Sequence, residues 1–153
     1  MFINISIYPP ECGYEQEKLE AIKPFGKKVD LVAPRVNDDA SPLEVWDIAK
    51  GLLKSVWDLQ RYHSLPCTMI CLDGLEATLT YAAVKLFLEH GLKVCRTVMS
   101  FDDGIKFVRF REFINHDIYE IASVSEMPLD YNHIMMEARE YHRSKGDKWK
   151  NCF

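Results

Sequence analysis

Apolar and polar positions along the chain change period several times, and each change marks an element. Residues 2–8 (FINISIY) place apolar side chains at short intervals with β-branched enrichment, and Pro9-Pro10 stops the run, which predicts a first strand. Residues 15–22 carry Leu19 and Ile22 on one side of a short predicted helix. VDLVAP (29–34) is a compact apolar strand closed by Pro34 and the polar turn RVNDDASP. Ser41, Pro42 and Glu44 then spell an N-cap, a first-position proline and a capping-box acid. Behind them Val45, Ile48, Ala49, Leu52, Leu53, Val56 and Leu59 recur by threes and fours, an apolar helical stripe suited to packing on a sheet.

CTMICL (67–72) is apolar without alternation, as a parallel strand buried on both faces requires. Residues 75–90 form the next predicted helix, ended by Gly91. KVCRTVM (93–99) and IKFVRFREF (105–113) are strands joined across SFDDG, a hairpin-like connection with glycine in the turn. Further on, 117–124 is a candidate strand and 130–142 a helix, before a basic tail. The expected fold is therefore α/β: a Rossmann-like, mostly parallel sheet flanked by helices, with an antiparallel edge strand and a C-terminal helix. Residues 1–113 make the Rossmann-like unit and 114–153 an appendage of the same domain.

Composition narrows the function classes. The chain has 153 residues, 48% of them hydrophobic, enough for one domain with a real core. A formal net charge of −4 supplies no global attraction to duplex nucleic acid or an anionic membrane, although a local basic patch is compatible with it. No apolar run approaches the roughly 20 residues of a membrane span. Five cysteines, none in a CxxC pair, lie mostly in strand-like segments, so a reducing cytoplasmic setting is expected, with neither metal site nor cofactor.

In parallel α/β sheets, ligands sit where strand carboxyl ends meet helix N-termini. The loops at 8–14, 34–41, 73–78 and 100–104 qualify, and CLDGLEATLT (71–80) offers most. A helix opening there aims unpaired N–H groups at the crevice, with Thr78 and Thr80 close by. The plainer reading makes Asp73 an N-cap and Glu76 its reciprocal partner. Gly-x-Gly-x-x-Gly, a Walker lysine loop and a Gly-x-Ser-x-Gly elbow are absent, which argues against a standard dinucleotide, ATP or hydrolase site. The five histidines are scattered without partners. In KFVRFREF, Phe107, Arg109, Arg111 and Phe113 share one strand face and Val108 and Phe110 the other. The two arginines suit phosphate contact or ion pairs across a subunit interface, or simply guard a solvated edge strand.

Taken together, ISIYPPECGYEQEKLEAI, KKVDLVAPRV, DDASPLEVWDIA, LDGLEATLTYAAVKLFLEHGLKV, CRTV and FVRFREF resemble the CRISPR-associated Rossmann-fold (CARF) family, in its small single-domain ring-nuclease type. The resemblance implies a homodimer that binds cyclic oligoadenylate, cyclic tetra-adenylate in the first instance. It further implies metal-independent cleavage of the ring to linear products, which would switch off type III CRISPR antiviral signalling. Carried over position by position, it implies a pocket from Tyr8, Pro9, Pro10 and Glu11, from Asp73, Gly74, Glu76 and Thr78, and from Thr97 and Ser100. It assigns no catalytic residue. The chain departs from the family where members place Asn or His with a small hydroxyl residue, since its first loop reads Tyr-Pro-Pro-Glu. The family's Gly-Glu or Gly-Asp is here Asp73-Gly74, with Glu76 displaced. A non-catalytic sensor of the same ligand and an unrelated Rossmann-like nucleotide enzyme stand as alternatives.

Overall fold

The structure is a computed structural model and describes residues 1–8, 16–37, 39–115 and 117–118. Its elements run β1 (Phe2–Ser6), α1 (Gln16–Ile22), a 3-10 turn (Lys23–Phe25), β2 (Lys28–Val32), α2 (Pro42–His63), β3 (Met69–Asp73), α3 (Ala77–Glu89), β4 (Val94–Asp102) and β5 (Ile105–Glu112). The five strands form one sheet in the order β2-β1-β3-β4-β5. The first four are parallel and β5 returns antiparallel at the edge. The α/β fold expected from the sequence is the fold observed.

Strand alternation divides the core in two. Ile3, Ile5, Ile70, Leu72 and Val94 face α2 and α3, where Val45, Trp46, Ala49, Leu52, Leu53, Val56, Leu79, Ala83 and Phe87 are buried against them. Phe2, Met69, Cys71 and Cys95 point to the opposite face and meet Ile22 of α1. There the rings of Phe2, Phe25 and Phe110 lie 5.1–5.8 Å apart, centroid to centroid, in tilted and edge-on pairs. This apolar triangle ties the 3-10 turn to the far edge strand. Both sides of β1 are therefore covered, and all five of its residues are buried.

Helix ends follow local chemistry. Ser41 Oγ accepts the Glu44 N–H at 3.2 Å, and Pro42 occupies the first turn, so the α2 N-cap forms as read. At the other end of α2, Ser64 takes the left-handed conformation (φ 51°) and its N–H returns to Gln60 and Arg61 carbonyls. Gly91 (φ 71°) follows α3. The start of α3 corrects one expectation. The helix opens at Ala77 rather than 75, its N-cap is Glu76, and no side-chain cap bond forms. Asp73 belongs to β3, so it cannot cap a helix four residues away. Asp117 and Ile118 are helical, against the strand expected over 117–124; the rest of that strand, and the 130–142 helix, lie outside the described residues.

Replacing Ser41 with Ala should lower unfolding free energy by about 1 kcal/mol, because one first-turn N–H of α2 loses its acceptor. The midpoint of a urea transition at unchanged slope measures it.

Candidate functional site

The strand order reverses between β1 and β3. From β1 the chain crosses by α1 to β2 on one side, and from β2 it crosses back by α2 to β3 on the other. Helices leave on opposite faces at this point, so a crevice opens at the carboxyl ends of β1 and β3.

Polar side chains line the α1 face of that crevice. Asn4 and Ser6 alternate with buried isoleucines along β1, and the register sets Ser6 beside Asp73 and Asn4 beside Cys71. Lys18 reaches down from α1 to join them. Its ammonium donates to Asn4 Oδ1 at 3.1 Å and forms a short ion pair with Asp73 Oδ2. Thr97 Oγ1, from β4, donates to the same carboxylate oxygen at 3.0 Å and lies 3.5 Å from the Cys71 sulfur. The Lys18 side chain is only 14% exposed and that of Asp73 26%. A cation this withdrawn from water is tolerated because a carboxylate and an amide oxygen both meet it.

The opposite lip is built from α3 and the loop after β2. Glu76 Oε2 accepts the Val36 N–H at 3.0 Å, which ties that loop to the helix entry. Because the Glu76 side chain is spent there, it leaves the first-turn N–H groups of α3 uncapped. Thr78 stands in that first turn, 2% exposed, and its hydroxyl has no hydrogen-bond partner among the described residues. A buried hydroxyl without a partner costs about 1–3 kcal/mol. Across the crevice mouth, Tyr8 is 56% exposed, and its backbone N–H donates to Ser6 Oγ at 3.0 Å. A Cβ added to Gly74 (φ 68°) would come within 3.0 Å of the Tyr8 ring, so glycine admits both the left-handed turn and the ring above it.

Among the expected pocket residues, Tyr8, Gly74, Asp73 and Thr97 gather at the α1-side rim, and Glu76 and Thr78 form the other lip. Ser100 does not join them. It pairs with Phe107 three residues beyond Thr97, on the other face of β4. Pro9, Pro10 and Glu11 lie outside the described residues. Lys18, Asn4 and Ser6 were not read from the sequence as site residues. Two polar residues two apart in an otherwise apolar, buried strand were the available signal for Asn4 and Ser6; nothing local marks Lys18.

Thiol chemistry has little to offer at this site. A hydrogen bond with Cys71, followed by burial, pushes the Cys95 thiol far above the ordinary cysteine range, so it is not a thiolate at neutral pH. His63 and His90 close α2 and α3, near the amino ends of the strands and away from the crevice. Among the described residues no group of three or more His, Cys, Asp or Glu is placed to hold a metal ion, and no helix is long and apolar enough to cross a membrane. The chain matches no protein-family model, no curated protein and no solved structure.

Thr78→Val removes the unpartnered hydroxyl at constant shape. It should raise unfolding free energy by about 1 kcal/mol. Asp73→Ala should do the reverse, losing about 1–3 kcal/mol as Lys18 and Thr97 are left without their shared acceptor. Thermal or urea denaturation of the two variants beside the parent gives both signs.

Proposed function

We propose that the protein is a nucleotide-binding module whose ligand is a cyclic oligoadenylate, held in the crevice at the carboxyl ends of β1, β3 and β4 and shared between two copies of the chain. The single observation that carries this reading is the fixed Lys18–Asp73–Asn4–Thr97 cluster at the strand-order reversal. It stands across from an α3 entry whose N-cap residue makes no side-chain cap bond and whose Thr78 hydroxyl has no partner among the described residues. Uncapped amides at a helix entry suit a phosphodiester. Hydroxyl and carboxylate groups suit ribose, and the exposed Tyr8 ring suits stacking against a base. The restriction to cyclic oligoadenylate rests on the resemblance of strand, loop and helix-entry segments to CARF proteins.

Binding is better supported than cleavage. Asp73 is held by Lys18 and Thr97, and Glu76 by Val36 N–H, so both acids of the site are engaged. An acid already neutralised by an ammonium is a poor general base. Ring opening would then depend on placing a ribose 2′-hydroxyl in line with its own phosphodiester, a geometric contribution that binding itself supplies.

The test is incubation with labelled cyclic tetra- and hexa-adenylate in EDTA. An intact ring retained on the protein in a gel shift supports the binding module, and linear products extend it to a ring nuclease. Lys18→Met and Thr78→Val should each weaken retention several-fold, the second despite its gain in stability. Absence of any complex at micromolar protein would overturn the proposal.

A further inference from the structure

The β4–β5 hairpin outgrows the sheet that carries it. β3 pairs with β4 only at Ile70↔Val94 and Cys71↔Cys95, whereas β4 and β5 pair over eight positions, from Cys95↔Glu112 to Asp102↔Ile105. Past Thr97 the two strands run on as a ribbon. Alternation sets Arg96, Val98, Ser100 and Asp102 of β4 on one face with Ile105, Phe107, Arg109 and Arg111 of β5, so the strip runs from arginines at its foot to a single acid at the tip. At its foot this face begins with Val94, buried in the α2–α3 core; farther out it is open, with Phe107 38% exposed and Arg96, Arg109 and Ile105 exposed.

The charges on this face are arranged against stability. Arg96 lies directly opposite Arg111, and Arg109 is the diagonal neighbour of Arg96. Like charges directly opposed across a strand pair are destabilising. Arg111 has a structural use, since it donates to Asp117 Oδ1 at 2.9 Å while Asp117 Oδ2 accepts the Ile114 N–H. Arg96 and Arg109 have no carboxylate within ion-pair distance among the described residues. Two unpaired guanidiniums beside an exposed phenylalanine and isoleucine combine phosphate and base recognition on one strip.

We propose that this face of the β4–β5 ribbon is a contact site for single-stranded nucleic acid, with Arg96 and Arg109 on phosphates and Phe107 stacked on a base. A single strand is the occupant that matches the surface. Aromatic faces are available to unstacked bases only, and a net charge of −4 gives no field to hold a duplex by its backbone alone. The site is separate from the crevice. Thr97, which binds Asp73, points to the face opposite Arg96, so this inference does not depend on the cyclic-oligoadenylate reading.

The probe is a fluorescent oligouridylate of roughly 16 nucleotides, read by anisotropy as salt is raised from about 50 to about 200 mM. Uridine avoids confusion with adenylate binding in the crevice. Arg96→Ala and Arg109→Ala should each weaken binding several-fold and flatten the slope of log affinity against log salt by about 0.7. Phe107→Ala should weaken binding with the slope unchanged, and Lys18→Met should leave it as in the parent. All the substituted ribbon residues are at the surface, and circular dichroism checks that the variants fold. The proposal is overturned if the Arg96→Ala/Arg109→Ala double variant binds as the parent does, or if no complex forms. It is equally overturned if an oligoglutamate competes as well as uridylate, which would make the face a docking site for acidic protein.

Discussion

Everything in this structure depends on β1 being paired on both sides and covered on both faces. Its five residues hydrogen-bond in parallel to β2 and to β3 and are all buried. A parallel strand in that position forces the chain to leave it in one direction and return past it in the other. The helices must then lie on opposite faces, and the reversal of direction leaves a gap that no crossover fills. The crevice is a consequence of strand order, and the polar residues at its floor are placed there by the same register that aligns the core.

Much of the architecture was legible from hydrophobic period alone. The unalternating runs around Ile70 and the three-and-four spacing of Val45, Ala49, Leu52 and Val56 fixed strand and helix, because burial on two faces or on one stripe dictates those patterns. Asp73 and Gly74 could be proposed as site residues for a related reason, since they end and follow a parallel strand, whereas Thr97, inside β4, entered only through the resemblance. What stayed hidden was pairing at long separation. Lys18 meets Asp73 across 55 residues and Glu76 meets Val36 across 40, and neither partner carries a local mark of the other. An Asp-x-x-Glu spacing reads as a capping box within one segment, yet the structure gives each acid a distant partner. Local propensity was outcompeted by tertiary hydrogen bonds to a partly buried ammonium and a loop amide.

The site shows how stability and readiness for a ligand pull apart. One side is satisfied: Lys18, Asn4, Asp73 and Thr97 answer one another, which keeps a charge near the strand ends without leaving it unpaired. The other side is not, since among the described residues Thr78 is buried with no partner and the α3 entry lacks a side-chain cap. A helix entry could have been capped at small structural cost by a serine or aspartate at position 76. Glu76 instead reaches for Val36, which fixes the loop after β2 and leaves the amides available. This division of labour, a rigid charged floor beneath an unsatisfied lip, suits binding by a preformed crevice better than a lid that must close.

The same reasoning extends to the ribbon, where the departure from stability is electrostatic. Arg111 alone would serve the Asp117 turn, and an apolar or acidic residue at 96 would suit the strand pair better than a second guanidinium. Edge strands carry lysine and arginine to discourage pairing with other chains, and that accounts for exposed charge along β5. It does not by itself call for a second arginine at 96, directly opposite Arg111. Nor does it explain Phe107 and Ile105 left exposed on that face, since edge protection removes apolar surface. Charge and exposed apolar area side by side on one sheet face are what the proposed single-stranded ligand would use, phosphates on the arginines and a base on Phe107.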